Sequence, residues 1–199
     1  MKNFIQNRLR EELNNQKGII CYHRSDSLEH MENNQFNLEF SNYENSIFGK
    51  ALYFAQSPNI STQLGKYICK FKIKLDQPIL NLNKSITTNQ ANKLLNLFNK
   101  KYNTKIDYYN KELGENVNSF DFNENYNSVQ YGEFFLELQD ILRPQPNQYY
   151  EDFIRNVLKC NSFVHYCDYG TNFITEKSDY GLCYGIYNPN NIKFVDGPF

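Results

Sequence analysis

Apolar and polar residues alternate most clearly after residue 68, where lysines separate Cys69, Phe71 and Ile73. This period of two predicts a half-buried β-strand whose lysines form a solvated, basic face. Compact apolar runs and shorter alternations predict further strands. They are expected at 18–22, 36–40, 51–55 after a polar loop at 41–50, 162–167, 172–175, 180–187 and 192–195, and residues 78–82 either extend the strand after residue 68 or begin another. The run 18–22 is expected to be buried, and residues 168–170 (Asp-Tyr-Gly) are expected to form a turn.

Spacings of three and four residues between apolar positions predict helices. Ile5, Leu9 and Leu13 form one such series near the beginning of the chain. Asp26 and Glu29 fit a capping box, which would begin a helix soon after the strand at 18–22. The full set of helices is expected at 5–13, 27–32, 59–66, 87–102, 131–142 and 149–159.

The order of these elements indicates an α+β fold, because few strand–helix–strand units repeat with the regularity of an α/β sheet. A length of 199 residues suits a single domain spanning 1–199. Residues 103–130 are rich in Asn, Asp, Glu and Tyr and show no lasting period. They are expected to be a long polar insertion that serves as a lid or recognises an acceptor.

Composition narrows the classes of partner. The formal net charge of −1 disfavours a protein that binds duplex nucleic acid by neutralising phosphates. Five cysteines without a Cys-x-x-Cys spacing indicate buried reduced thiols rather than a metal site. Residues 1–5 lack the apolar region of a signal peptide, and no apolar run reaches the ~20 residues that span a bilayer. We therefore expect a cytoplasmic protein, or one delivered into a host cytoplasm, with no membrane or metal partner.

Three short blocks carry the most specific pattern. They are Tyr22–Ser25 (Tyr-His-Arg-Ser), Gly49–Tyr67, which contains Gly-Lys-Ala-Leu-Tyr-Phe-Ala, and Tyr180–Val195. Their order resembles the ADP-ribosyltransferase superfamily, and the third block resembles its closing hairpin. The resemblance implies a split β-sandwich with flanking helices around a cleft that binds NAD.

The resemblance also implies roles for individual residues. His23 would hydrogen-bond a ribose of NAD, because a neutral imidazole can both donate and accept. Arg24 stands where the family commonly has Gly; its backbone would hold the nicotinamide carboxamide, and its guanidinium would reach the pyrophosphate. Ser25 matches a Ser/Thr position of the family. Tyr53 and Tyr67 would clamp the nicotinamide ring by stacking and cation–π contacts.

The third catalytic position departs from the family pattern. Members with transferase activity often have Glu, Gln or Asp there, and the matching residue in this chain is Cys183. A thiol cannot stabilise an oxocarbenium-like transition state as a carboxylate does, so Cys183 would only line the NAD site. Asp179 is the preferred acidic residue if a bulge shifts the strand, and Glu176 is near. Glu133 and Glu137 are expected on a solvated helix face.

The leading hypothesis is a mono-ADP-ribosyltransferase that cleaves the nicotinamide–ribose bond of NAD and transfers ADP-ribose to a macromolecule, for which a protein is the expected class. One alternative is a non-catalytic member that binds NAD, ADP-ribose or a protein partner. A lesser alternative is an RNA 2′-phosphotransferase, which needs convergent basic residues; Arg24 and Lys50 are the two near the blocks. His30 is expected at the surface and His165 in a structural role. A toxin or effector, a phage or viral modifier and a host enzyme all fit.

Overall fold

The structure is a computed structural model. It describes residues 18–33, 36, 48–59, 65–105, 107–108, 119–120, 128–130, 132, 134–135, 138, 148–172 and 177–199. For 167–172 and 177–180 it describes the backbone. The helix expected at 5–13 lies outside these residues, as do most of the strand expected at 36–40, most of the helix expected at 59–66 and most of the strand expected at 172–175.

Eleven strands lie within the described residues. They are β1 (Ile19–Ser25), β2 (Leu52–Ala55), β3 (Tyr67–Ile73), β4 (Ile79–Asn81), β5 (Ser85–Thr87), β6 (Asp107–Tyr108), β7 (Ser119–Phe120), β8 (Ser128–Gln130), β9 (Ser162–Asn172), β10 (Lys177–Ile186) and β11 (Ile192–Asp196). The labelled helices are α1 (Leu28–Glu32), α2 (Thr88–Tyr102) and α3 (Gln148–Asp152). A π-helical turn, Phe153–Val157, follows α3, and a 3₁₀ turn, Pro189–Asn191, precedes β11.

The chain forms two compact units. The first contains Met1–Phe40, Ala51–Leu80 and Cys160–Phe199, and the second contains Ser41–Lys50 and Asn81–Lys159. Strands and helices are both present, so the predicted α+β class is confirmed.

A seven-stranded sheet forms the first unit, in the order β11-β3-β1-β2-β10-β9-β4. The pairings of β1 with β2 and β3, of β10 with β2 and β9, and of β11 with β3 are antiparallel. β1 pairs with β3 along seven residues, from Ile19 to Ser25, but with β2 at Tyr22 and Ala55 alone. β1 is therefore paired along its whole length with β3 but at a single residue with β2.

One face of this sheet holds the core of the first unit. The alternation predicted after residue 68 is confirmed, because Cys69, Phe71 and Ile73 are fully buried while Lys72 is exposed. Met31 of α1 is buried in the same core. The strand predicted at 18–22 exists, but Ile20 is 47% exposed, so the expectation that the whole run is buried is wrong. β1 alternates because one of its faces points away from the core.

Two local predictions in the first unit are wrong. The expected capping box at Asp26 is absent: Ser27 is the N-cap of α1, with no side-chain capping bond, and the Asp26 carboxylate accepts a hydrogen bond from the Lys66 backbone N–H at 3.0 Å. The turn expected at 168–170 is also absent, because β9 continues through it to Asn172. Asp168 and Thr171 pair with Tyr180 and Ser178 of β10, so the ladder continues across the predicted turn and overrides the local turn signal.

The expected closing hairpin is not formed either. β10 lies between β2 and β9, whereas β11 lies at the edge of the sheet beside β3. The 3₁₀ turn Pro189–Asn191 connects them, and the Asn188 side chain accepts the backbone N–H of Asn190 there. The strand predicted at 192–195 is confirmed, but its partner is distant in sequence.

The second unit contains the helices predicted in the middle of the chain. α2 begins with a reciprocal capping box between Thr87 and Gln90. Its Phe98 packs with the fully buried rings of Phe153 and Tyr150. In the helix predicted at 131–142, the four described residues are helical, and three of them are buried. Within the polar segment 103–130, β6 pairs with β7, and β8 pairs with β5.

None of the helices described here is both long and apolar enough to cross a bilayer.

Candidate functional site

Neighbouring strands bring the three sequence blocks together. Ala55 of β2 is in register with Tyr22 of β1 on one side and with Cys183 of β10 on the other. The first, second and third blocks therefore contribute the consecutive strands β1, β2 and β10. Beyond the Tyr22–Ala55 pair, β1 and β2 have no further registered partners, and the His23 side chain lies at this point.

His23 links the first two blocks by a hydrogen bond. Its Nδ1 lies 2.7 Å from the backbone oxygen of Tyr53. A carbonyl oxygen only accepts, so Nδ1 donates, which assigns the hydrogen of a neutral ring to Nδ1 and leaves the Nε2 lone pair available as an acceptor. Among the described residues this is the ring's only hydrogen bond. Aromatic rings surround the imidazole at centroid distances of 5.8, 5.3 and 6.2 Å, from Phe36, Phe54 and Phe71.

Burial keeps the His23 ring neutral. Its pKa is lowered from 6.5, chiefly because burial removes water from the imidazolium form. The hydrogen bond to the Tyr53 oxygen acts in the opposite direction and raises the pKa, but it is the smaller effect. A neutral ring with one committed donor can offer a fixed acceptor to a hydroxyl group.

The lowered pKa of His23 predicts a specific pH dependence of stability. As pH falls below 6.5, the unfolded chain binds a proton on this ring before the folded protein does. The free energy of unfolding should then fall, with a slope from this group of at most about 1.4 kcal/mol per pH unit, until the folded pKa is passed. Urea unfolding from about pH 7.5 to about pH 5 should show this extra slope in the wild type and not in His23→Asn. Equal slopes in the two proteins would contradict the assignment.

Arg24 directs its guanidinium toward the turn that follows β2. Nη2 donates to the Pro58 backbone oxygen at 3.0 Å. Nε is buried and has no hydrogen-bond partner within the part of the chain that the structure describes. A buried, unsatisfied donor on a cation is the kind of group that an anionic ligand would complete. The predicted contact with the NAD pyrophosphate stays a prediction.

Ser25 belongs to the junction between β1 and α1. Its Oγ accepts the backbone N–H of Ser27 at 3.1 Å, and its backbone is in register with Tyr67 of β3. The hydroxyl thus holds the chain as it leaves the strand.

The two predicted clamp residues have different surroundings. The Tyr53 ring packs edge-to-face on the fully buried Phe163 at 5.7 Å. The Tyr67 ring lies at the border of the core, with Lys66 Nζ 5.0 Å from its centroid. Tyr53 lies on β2 and Tyr67 is the first residue of β3, and β1 lies between these two strands in the sheet.

The third position is occupied by a buried thiol. Cys183 is 3% exposed and clusters with Ala55. Asp179 lies at a register irregularity between Ser178 and Tyr180, where two residues of β9 are opposite it, and Cys183 remains paired with Ala55. Asp179 is four positions before Cys183, so their backbones are about 13 Å apart along β10. Glu133, Glu137 and Glu176 lie outside the described residues.

His165 lies closer to the third position than the sequence suggests. It is directly opposite Cys183 on β9 and is partly exposed, and its ring lies 6.1 Å from that of Phe163. Strand alternation alone gives no register between β9 and β10, so nothing in the sequence pairs these two residues. Likewise, no local signal predicts the bond from His23 to the Tyr53 oxygen.

No group of three or more His, Cys, Asp and Glu side chains suitable for a metal ion is found in the described part of the chain. Comparisons with protein-family models, curated proteins and solved structures gave no match to this chain.

Proposed function

We propose that the chain is a mono-ADP-ribosyltransferase-like enzyme with a split β-sandwich fold, and that NAD binds where β1 and β2 diverge. The observation that supports this most is the hydrogen bond from His23 Nδ1 to the Tyr53 oxygen at 2.7 Å. It joins two of the three sequence blocks at the residues that the resemblance assigns to NAD. β10, which carries the third block, is the next strand.

His23 would act through its Nε2 lone pair. A neutral imidazole held by Tyr53 can accept a hydrogen bond from a ribose hydroxyl and fix the sugar for cleavage at its anomeric carbon. Positive charge develops on the ribose as nicotinamide leaves. A neutral acceptor does not oppose that charge, whereas an imidazolium would. Burial of the ring therefore suits the proposed chemistry.

Tyr53 and Tyr67 would hold the nicotinamide ring, and Arg24 would contact the pyrophosphate. Each aromatic contact with the cationic ring is worth about 0.5–2 kcal/mol. In the proposed dissociative mechanism, the glycosidic C–N bond breaks first and nicotinamide leaves with the bonding pair. The nucleophile of the acceptor then attacks the anomeric carbon from the opposite face, and ADP-ribose becomes attached to it.

Asp179 would supply the carboxylate of the third position. This assignment comes from the resemblance, because the irregularity at Ser178–Tyr180 has its extra residue on β9 and leaves Asp179 about 13 Å along β10 from Cys183. The buried thiol of Cys183 supports the second candidate, a non-catalytic protein that binds NAD or ADP-ribose. The two candidates differ in whether the glycosidic bond of bound NAD is broken.

Two measurements on the wild-type protein separate these candidates. We expect NAD to raise the melting temperature, and NAD labelled in the nicotinamide ring to release labelled nicotinamide. With NAD labelled in the adenylate, a cell lysate should yield a labelled macromolecule. Release that persists in Cys183→Ala but is lost in Asp179→Ala would support the assigned third residue. Stabilisation by NAD without release would favour the binding protein. Neither effect with NAD, together with no stabilisation by ADP-ribose, would remove both candidates.

A further inference from the structure

A cavity of about 240 Å³ lies at the end of β1 that is remote from His23. The cavity is lined by Gly18, by residues 72–74 at and just after the end of β3, and by residues 190–193 around the 3₁₀ turn. Gly18 is five positions before His23, so the cavity lies about 17 Å along the strand from the proposed NAD site. Its volume is several times the roughly 30 Å³ of a liquid water molecule, so a phosphate group with part of its ester fits.

Three lysines give this cavity a positive lining. Lys72, Lys74 and Lys193 are all exposed, and none has an ion-pair partner among the residues described. Asp196, an acid of the same edge strand, is in register with Lys70 and not with these lysines. The three lysines therefore line one cavity, and none of them forms an ion pair with a carboxylate of the described residues.

Two of the lysines are cross-strand neighbours, so their positive charges repel each other. Lys72 of β3 and Lys193 of β11 are directly opposite each other in the antiparallel pair, an arrangement that is unfavourable for like charges. The Lys72 side chain also lies across the backbone of Gly18, since a Cβ built there would be 2.9 Å from Lys72 Cε. Gly18 has φ +85°, a backbone conformation that residues with a side chain rarely adopt. The space that a Cβ would occupy there is taken by the aliphatic part of the Lys72 side chain.

The wall beside the lysines contains an unused donor. Asn191 lines the cavity, and its Nδ2 is buried without a hydrogen-bond partner in the described residues. Its backbone oxygen accepts the Lys74 backbone N–H at 2.9 Å, which fixes this residue beside Lys74. Three lysines that line one cavity match the acceptor oxygens of a multiply charged anion.

We infer that the cavity lined by Lys72, Lys74, Asn191 and Lys193 binds the phosphate monoester group of a small molecule. A monoester carries nearly two negative charges near neutral pH and offers three acceptor oxygens, which suits three cations better than a carboxylate does. Binding would also relieve the repulsion between Lys72 and Lys193. The inference is independent of the proposed NAD chemistry.

Calorimetric titration at constant ionic strength tests this site, with 5′-AMP and inorganic phosphate as probes and adenosine as the uncharged control. Both phosphates should bind the wild type and adenosine should not. The double variant Lys72→Ala/Lys193→Ala should weaken binding about 100-fold, which is about tenfold for each charge-assisted hydrogen bond. Lys70→Ala, on the same strand and face but outside the cavity, should bind within about twofold of the wild type. His23→Asn should bind inorganic phosphate normally, which separates this site from the NAD site.

A second measurement excludes a merely structural role for the lysines. Without phosphate, the melting temperature of the double variant should equal or exceed that of the wild type, because a like-charge pair has been removed. The inference is overturned if neither phosphate binds the wild type, or if Lys70→Ala weakens binding as much as the double variant. It is also overturned if oligonucleotides without a terminal phosphate bind as well as 5′-AMP, or if the ligand-free double variant melts well below the wild type.

Discussion

Replacing His23 with asparagine is expected to reduce the rate of nicotinamide release from NAD at least about 100-fold, as removal of one preorganised hydrogen-bonding group does in other enzymes. The asparagine amide nitrogen approximates Nδ1 and can still donate to the Tyr53 oxygen. It has no counterpart of Nε2, so the proposed acceptor for the ribose hydroxyl is lost. The fold should therefore survive while the chemistry fails.

Two further variants complete this experiment. In His23→Gln, the side-chain amide reaches the position of Nε2 and can accept the ribose hydroxyl, but the hydrogen bond to the Tyr53 oxygen is lost. This variant should therefore release nicotinamide faster than His23→Asn if the acceptor at Nε2 is the more important group. His30 is exposed on α1, and His30→Asn is the matched control that should leave the rate unchanged. Wild-type rates in a folded His23→Asn protein would exclude His23 from the reaction.

The second large effect concerns stability rather than activity. Gly185→Ala is expected to lower the free energy of unfolding by about 3 kcal/mol, in the upper part of the range for overpacked cores. Gly185 is directly opposite Phe163, and a Cβ built on it would be 1.9 Å from Phe163 Cζ. Phe163 is fully buried and also packs against Tyr53 and Tyr187, so its ring cannot move without disturbing its neighbours.

Gly132→Ala provides the control for this substitution. A Cβ there would be 3.4 Å from its nearest neighbour, the Leu82 oxygen, and the residue is helical, so the change should stay within about 1 kcal/mol. Urea unfolding of both variants gives the comparison. Adding Phe163→Leu to Gly185→Ala should recover part of the loss, because the smaller side chain relieves the clash. Strictly additive effects would contradict the packing described here.

The parts of the fold that follow from neighbouring residues could be predicted from sequence. Alternation after residue 68 determines which side chains of β3 are buried, and that pattern needs no knowledge of the partner strand. The α2 helix begins at a capping box formed within four residues, Thr87 to Gln90. Each of these signals is local and agrees with the structure that forms there.

Features that depend on pairing between distant strands could not be predicted. Residues 168–170 have the composition of a turn, but the ladder between β9 and β10 extends through them. Asp26 is spaced for a capping box, but its carboxylate is used by the Lys66 backbone N–H, forty residues away. Local propensity loses to tertiary contacts in both cases.

The candidate site also has features that the sequence predicts and features that only the structure provides. Residue types and order suggest His23, Tyr53 and the anomaly at Cys183. The register that aligns Ala55 with both Tyr22 and Cys183 comes from the structure, as does the bond from His23 to Tyr53. Register between strands is set by contacts far apart in sequence, so residue order alone cannot supply it.

The most direct test of the proposed site is a measurement of the imidazole nitrogen-15 chemical shifts with and without NAD. Three histidines make the assignment tractable. In the free protein, the His23 ring should be neutral near pH 7, with its hydrogen on Nδ1 and an unprotonated Nε2. NAD should shift the Nε2 signal of His23 in the direction of a hydrogen-bond acceptor and leave His30 unchanged. A hydrogen on Nε2 in the free protein, or no shift of His23 at saturating NAD, would contradict the proposed site.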